Sequence, residues 1–170
     1  MLQNFPVGLV LDSGFVHPAP SYPRFLRLVE EKPVPDRLVR RGELLDLGGG
    51  VAAVLRNPRE PLIIGSGSEV HATSVVARLV DGAARVLLTG DIEALTNAIL
   101  LSDGTDLRST VPKVAYHGSA TSRTPVFLEA VAPRVAVISA GAMNPCGHLH
   151  RATPFTPWVQ QCTGPTSRAR

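Results

Sequence analysis

Two polar side chains in this chain stand where an apolar run gives way to a glycine turn. Asp91 follows Gly90 and the run at residues 84–88, and His117 follows the run at residues 111–115. Each run has the length and composition of a short β-strand. Two strands that end at one edge of a sheet bring such side chains together. A carboxylate oxygen and an imidazole nitrogen supply two ligands of a hydrolytic metal site.

Both side chains also have a structural interpretation. Asp91 precedes a predicted helix, and aspartate is favoured at helix N-caps, where it accepts hydrogen bonds from backbone N–H groups. His117 precedes Gly118, whose conformational freedom permits a tight turn, and a histidine there can be a polar loop residue. Because a cap can also bind a metal, the residues alone leave these alternatives open.

The composition indicates one globular domain. The chain has 170 residues, of which 44% are apolar, and its 15 glycines and 15 prolines favour short strands and turns over a helical bundle. The net charge is +3 and the arginines are scattered, which is more typical of a solvated surface than of a nucleic-acid-binding stripe. Cys146 and Cys162 lack metal-binding spacing. No apolar run reaches the length of about 18 residues that a membrane span needs.

A strand-rich first part is predicted to precede alternating strands and helices. The first helix begins at Ser21 and ends at Pro33. Asp81-Gly82 predicts a hairpin turn. The strands are predicted at residues 7–11, 38–40, 43–47, 51–55, 74–80, 85–88, 111–115 and 134–139.

Two later helices complete the predicted elements. One runs from Ile92 to about Leu101 and is predicted to bury Ile92, Leu95 and Ile99 on one face. The other begins after Thr124 and ends near Val131. Residues 154–170 are rich in proline and polar residues and are predicted to be an irregular tail.

Five segments carry a resemblance to a known family: residues 74–79, 87–93, 114–122, 133–141 and 144–150. Taken in order, they resemble the metallo-β-lactamase-fold domain of ComEC-type DNA-internalisation (competence) proteins. The resemblance covers roughly residues 5–153 and corresponds to the C-terminal half of that domain. It predicts a domain at residues 1–153 that lacks its N-terminal half, followed by the tail.

The resemblance implies an α+β fold, part of an αββα sandwich that holds one or two ions of zinc or manganese between its sheet edges. It implies that Asp91 is a catalytic metal ligand that bridges two ions and that His117 is a second ligand. His148 follows a glycine turn after the last predicted strand. It is a candidate for a third ligand and for a catalytic group that stabilises charge.

Four further residues are candidates for substrate contact. The phenol of Tyr116 can donate a hydrogen bond to a phosphate oxygen, and the hydroxyl of Ser119 lies near a predicted helix start, where anions bind. Capping of that helix is the alternative role for Ser119. His71 and His150 are placed to approach the same edge of the sheet.

The sequence departs from the family pattern in several places. The leading HxHxDH motif is absent and is expected upstream of Met1. Tyr116 stands where the family has a histidine, Leu149 where it has a proline, and His71 where an asparagine is common. Without the leading motif the chain has at most three or four ligands. The metal is then not expected to be fully retained, and activity is expected to be low.

These observations predict a metal-dependent hydrolase domain related to DNA uptake and competence, which acts on a phosphodiester. Whether this chain is an enzyme depends on the HxHxDH motif being supplied. One alternative is a non-catalytic remnant of the fold that binds DNA or a partner; another is a hydrolase of a different phosphoryl ester. The implied partners are single-stranded DNA and the membrane channel domain of a parent protein in the bacterial cell envelope. An uncovered sheet face also predicts dimerisation.

Overall fold

The computed structural model describes residues 2–122 and 124–140, together with the backbone of residues 159–161. The fold is mixed α+β, which confirms the predicted class. The strands form a parallel pair and a seven-stranded sheet. In the described residues they are β1 (Val10–Asp12), β2 (Asp36–Leu38), β3 (Leu44–Gly48), β4 (Val51–Asn57), β5 (Val76–Asp81), β6 (Ala84–Leu88), β7 (Val111–Lys113), β8 (Ala136–Ile138) and β9 (Val159–Gln161).

The helices lie between these strands. Two 3₁₀ turns, Ala115–Gly118 and Ala120–Ser122, follow β7. The α-helices are α1 (Ser21–Glu31), α2 (Glu69–Ala72), α3 (Ala94–Ser102) and α4 (Pro125–Val131). The short helix α2 was not predicted.

The large sheet changes direction at β6. Its order is β3-β4-β5-β6-β7-β8-β9. The pairs from β3 to β6 are antiparallel, and the pairs from β6 to β9 are parallel. Because α3 returns the chain from β6 to β7, and α4 returns it from β7 to β8, the carboxyl ends of these three strands lie at one edge of the sheet.

Most of the predicted strands are present with shifted ends. The hairpin at Asp81-Gly82 forms as predicted, and Gly82 has a φ of +52°. The first strand begins later than predicted, at Val10, and β2 begins earlier, at Asp36. The backbone at Val159–Gln161 pairs with β8, so the predicted irregular tail contains a three-residue strand. Its sequence has no alternation of apolar and polar residues that could announce it.

Apolar side chains pack on the sheet in separate clusters. One joins the sheet to α3 and α4 and has Leu87, Ile92, Leu100 and Phe127 among its buried members. Another lies among β3, β4 and β5. The first cluster therefore fixes the two helices that flank the turns after β6 and β7.

The buried face of α3 differs from the predicted one. Leu95, predicted to be buried, is 44% exposed, whereas Thr96 and Asn97 are buried. The helix begins at Ala94, and the Asn97 side-chain amide donates a hydrogen bond of 3.0 Å to the Ser122 carbonyl. With this polar contact, the buried face of the helix is shifted by about one residue from the face that the apolar residues predict.

Several large apolar side chains near β2 and β3 are exposed, among them Leu38, Leu44 and Leu47. Dimerisation through an uncovered face of the sheet stays a prediction. Within the described part of the chain, every helix is too short or too polar to cross a membrane.

Candidate functional site

The structure brings Asp91 and His117 together at the carboxyl ends of β6 and β7. These strands are parallel neighbours, and Leu88 at the end of β6 is level with Lys113 at the end of β7. The turns that follow them therefore leave the sheet side by side. His117 Nε2 lies 3.7 Å from Asp91 Oδ1. The two predicted ligands thus face each other, although many residues separate them in the sequence.

A hydrogen bond fixes the orientation of the His117 ring. Nδ1 lies 2.7 Å from the carbonyl oxygen of Ser139, which follows β8. A carbonyl only accepts, so Nδ1 carries the proton and Nε2 is the nitrogen that faces Asp91. Histidines that bind metals are oriented in this way, by donation from the other ring nitrogen to a carbonyl or carboxylate.

The turn that carries Asp91 is closely packed and needs a glycine. Gly90 has a φ of +55°, and a Cβ built on it would lie 3.0 Å from Ser74 Cβ and 3.2 Å from the Val75 carbonyl oxygen. The Asp91 N–H donates to Ser74 Oγ at 3.3 Å. Asp91 is not the N-cap of α3, because that position belongs to Glu93. Its carboxylate is therefore turned toward neighbouring side chains and not toward the helix backbone.

Lys113 is a member of the site that the sequence interpretation missed. Its Nζ donates to the Gly90 carbonyl at 3.0 Å and lies 3.3 Å from Asp91 Oδ1. The signal that could have found it is the parallel register, which brings the last residue of β7 level with the end of β6. The ammonium group partly neutralises the Asp91 carboxylate.

The backbone around His117 is strained. Tyr116 and His117 have φ values of +45° and +51°, and Gly118 continues the left-handed run with +84°. Each non-glycine residue in this region costs about 1–2 kcal/mol, and such residues cluster at functional sites. The buried Ser122 hydroxyl, 2.9 Å from the carbonyls of Ala115 and Ser119, helps to hold the turn.

Glu93 ties three segments together beside this turn, and it too was missed. One carboxylate oxygen accepts from the Ser68 hydroxyl, and the other accepts from Thr121 Oγ1 at 2.6 Å. Hydrogen bonds from Ser68 and Thr121 hold the pKa of the Glu93 carboxyl below its ordinary value. Asp91 and His117 thus stand on loops that are linked by a carboxylate two residues beyond Asp91.

The candidates for substrate contact have different outcomes. The rings of His71 and Tyr116 are in contact, with centroids 4.4 Å apart. His71 Nδ1 is buried and has no hydrogen-bond partner among the described residues. Ser119 Oγ lies 3.1 Å from Thr121 Oγ1 in the turn after His117. His148 and His150 lie outside the described residues.

The Asp91–His117 pair fits two positions of a metal's coordination sphere. Zinc binds histidine nitrogen and carboxylate oxygen at about 2.0–2.2 Å each, so one ion can span the 3.7 Å between Nε2 and Oδ1. Within residues 2–122 and 124–140, no group of three histidine, cysteine, aspartate or glutamate side chains is arranged to hold a metal. The described residues therefore supply two donors, and a complete site needs at least one more.

A groove of about 360 Å³ extends from α1 to Ser74, which contacts the turn that carries Asp91. Phe15, Tyr22 and Phe25 contribute aromatic rings to its lining, and Ser74 lines it as well. Ser74 is also the residue that accepts from the Asp91 N–H, so the groove ends beside the backbone of the site.

The chain is similar to proteins with competence-related names. It is 29% identical over 143 residues to ComE operon protein 3 of Bacillus subtilis, a match that covers 84% of this chain and 18% of that protein. It is 42% identical over 79 residues to competence protein ComA of Neisseria gonorrhoeae, which covers 46% of this chain and 11% of that protein. It is 43% identical over 80 residues to recombination protein 2 of Haemophilus influenzae, which covers 47% and 10%.

These matches cover less than a fifth of each relative's length. No protein-family model matches the chain. Taken together, the three relatives nevertheless support a relationship of this chain to a competence and DNA-uptake family.

Proposed function

We propose that this chain is part of a metal-dependent hydrolase that cleaves phosphodiester bonds of single-stranded DNA during DNA uptake. The observation that carries the proposal is the Asp91–His117 pair, with Nε2 and Oδ1 3.7 Å apart and Nδ1 bonded to the Ser139 carbonyl. This geometry presents an imidazole nitrogen and a carboxylate oxygen to a shared cation. The relatives support a relationship to competence and DNA uptake, and DNA is the substrate that we infer from that relationship.

Asp91 and His117 would hold the metal, and His148 is the proposed third ligand. The donor set of nitrogen and oxygen suits zinc or manganese, as one ion or two. When bound, such an ion would make water acidic enough to act as a nucleophile near neutral pH. A metallo-β-lactamase-type sandwich and a membrane channel domain as partner belong to the same proposal.

Residues of the chain orient the reacting groups. The Ser139 carbonyl holds the ring of His117, and the Lys113 ammonium holds the Asp91 carboxylate. Tyr116 and Ser119 are placed in the turn beside them, where a phenol and a hydroxyl can donate to phosphate oxygens. Glu93 acts as a positioning residue, because its hydrogen bond to Thr121 links the turn to the start of α3.

Metal binding by two variants tests the proposal. Titration calorimetry with Zn²⁺ and Mn²⁺ is expected to show that Asp91→Ala and His117→Ala each lower the affinity by about a hundredfold or more, since even residues behind the ligands contribute 10–100-fold. Asp81→Ala in the hairpin is the matched control and is expected to leave the affinity unchanged. Any metal-dependent cleavage of a labelled single-stranded oligonucleotide is expected to disappear in Asp91→Ala.

Metal binding that survives in both variants, or that falls equally in Asp81→Ala, would show that the ion is held elsewhere. That result would remove the basis of the hydrolase proposal. Folding of each variant is checked by circular dichroism, so that a loss of affinity is not a loss of structure.

A second candidate function is a non-catalytic domain that binds DNA or a protein partner. It is favoured by the Lys113 ammonium, which lies 3.3 Å from the Asp91 carboxylate and already balances its charge without a metal. Under this alternative the chain binds single-stranded DNA with equal affinity in EDTA and in Zn²⁺. Cleavage is then absent under every metal condition.

A further inference from the structure

Three of the arginines that are scattered in the sequence lie near one another in the fold. Among the described residues, four of them form ion pairs: Arg37 with Glu43, Arg40 with Glu60, Arg41 with Asp103, and Arg78 with Asp106. Arg85, Arg108 and Arg134 are exposed and, in the part of the chain that the structure describes, have no carboxylate within ion-pair distance. Arg85 lies at the start of β6, whereas Arg108 and Arg134 lie three and two residues before β7 and β8.

Register and hydrogen bonds bring two of these arginines to the same residue. Val86 on β6 is level with Val111 on β7, which makes Arg85 level with Thr110. The Arg85 N–H donates to Thr110 Oγ1 at 3.2 Å. On the other side of Thr110, the Arg134 N–H donates to the Thr110 carbonyl at 3.0 Å. Arg85 on β6 and Arg134 just before β8 therefore flank Thr110, about 10 Å apart at the usual strand spacing.

Arg108 joins this group from the segment that leads into β7, two residues before Thr110. Its backbone N–H donates to Asp106 Oδ1 at 3.2 Å. Asp106 does not neutralise the group, because its carboxylate forms the ion pair with the buried Arg78. Asp81, at the end of the hairpin strand, is the other nearby acid, since it is level with Ala84 on β6. The positive charge of this edge thus exceeds its negative charge.

We propose that this arginine edge, formed by Arg85, Arg108 and Arg134, binds the phosphodiester backbone of a nucleic acid strand. Guanidinium groups match the planar, bidentate geometry of phosphate oxygens. Three of them on separate segments of the chain suit a chain of phosphates better than a single anion. Exposed and unpaired like charges also repel one another, and a polyanion relieves that repulsion.

The arginine edge is distinct from the Asp91–His117 pair. It lies at the amino ends of the parallel strands, whereas Asp91 and His117 follow their carboxyl ends. Because β6 has five residues, the two places are on the order of 15 Å apart. The binding inferred here needs no metal and no hydrolysis, so it can fail or succeed separately from the proposed hydrolase, and it gives the DNA binding of the second candidate function a location in the fold.

Salt-dependent binding of an oligonucleotide tests the arginine edge. The intact 170-residue chain is titrated into a fluorescein-labelled oligothymidylate of about 20 nucleotides in EDTA. The titration is repeated from about 50 to 200 mM salt, with fluorescence anisotropy as the readout. In the triple variant Arg85→Gln, Arg108→Gln, Arg134→Gln the slope of log K against log salt is expected to become shallower by about 2, because each lost contact to a single strand contributes about 0.7. The affinity at the lowest salt is expected to fall about tenfold or more.

The control removes the same charge elsewhere. Arg24, Arg27 and Arg59 also have no carboxylate partner among the described residues, and Arg24→Gln, Arg27→Gln, Arg59→Gln is expected to change the affinity less than twofold. Equal losses in the two triple variants, or no binding by the wild-type chain, would overturn the inference. Equally tight binding of polyglutamate would do so too, since it would show attraction to any polyanion. If a triple variant does not fold, each single substitution at the edge is expected to reduce the slope by about 0.7.

Zinc titration separates this inference from the proposed function. The arginine-edge variant is expected to bind Zn²⁺ as the wild type does, whereas Asp91→Ala is expected to keep its oligonucleotide binding in EDTA. A failure of one assay therefore leaves the other interpretable.

Discussion

The two ends of the parallel strands β6, β7 and β8 are built differently. At their carboxyl ends, Asp91 and His117 each follow an apolar run and sit next to a glycine, so each carries its own local signal. At their amino ends, Arg85, Arg108 and Arg134 have no motif around them, and only strand order and register bring them together. Residues with local signals can be identified from the sequence. Residues that are brought together only by strand register can be identified only once the structure of the sheet is known.

The two ends also differ in how tightly the backbone is held. The carboxyl ends lead into a left-handed glycine packed against Ser74 and into two strained residues, Tyr116 and His117. The arginine edge consists of exposed side chains at the start of β6 and just before β7 and β8. Substitutions at the carboxyl ends are therefore expected to change the free energy of unfolding, whereas substitutions at the arginine edge are expected to change only binding.

Gly90→Ala should have the largest effect on stability. A left-handed alanine costs about 1–2 kcal/mol, and the clash of its Cβ with Ser74 adds about 1–3 kcal/mol, so we expect a loss of about 3 kcal/mol in urea unfolding. Gly82→Ala is the matched control. Its φ is also positive, at +52°, but nothing lies within 4 Å of the new Cβ, and about 1 kcal/mol is expected. Equal losses in the two variants would contradict a closely packed turn at Gly90.

The sequence predicted the parts of the fold that local signals determine. Asp81-Gly82 located the hairpin, and the runs before Asp91 and His117 located β6 and β7. Because both runs were expected to end at one edge of a sheet, they also predicted that Asp91 and His117 lie close together. Strand order and register bring Lys113 to the site and the three arginines to one edge. No single segment of the sequence contains the strand order or the register.

Other features could not be predicted because tertiary contacts override local preference. Tyr116 and His117 adopt left-handed backbone angles that their own types disfavour, and only the surrounding hydrogen bonds make this conformation stable. Leu95 was expected in the core because it is apolar, but the bond from Asn97 to the Ser122 carbonyl buries the neighbouring polar face of α3. The strained turn and the polar face both depend on one segment, residues 115–122.

Ser122→Ala should have an intermediate effect. The Ser122 side chain is buried, and its hydroxyl lies 2.9 Å from two carbonyl oxygens of the strained turn. Because removal leaves buried acceptors without that donor, we expect a loss of about 1–2 kcal/mol in the free energy of unfolding. Arg134→Gln, just before β8, is expected to change the free energy of unfolding by less than about 0.5 kcal/mol. If Arg134→Gln destabilised the chain as much as Ser122→Ala, the contrast between the two ends would be wrong.

The smallest effect is expected from the acids that stand near each end. Folding lowers the pKa of Glu93, through hydrogen bonds from Ser68 and Thr121, and lowers the pKa of Asp106, chiefly through its hydrogen bond from Arg78. An acid whose pKa is lower in the folded state stabilises the fold at pH values above its ordinary pKa, which for Glu93 is 4.5. That contribution disappears as the pH falls through the folded-state value.

The free energy of unfolding, measured by urea at several pH values below about 5, should therefore fall less steeply in Glu93→Gln than in the wild type. Asp106→Asn should show the same sign. Because the two acids have no partner in common, their effects should add in the double variant. A Glu93→Gln variant with the wild-type slope would mean that the Ser68 and Thr121 hydroxyls do not favour the charged carboxylate. Glu93 would then not act as the link that holds the His117 turn against the start of α3.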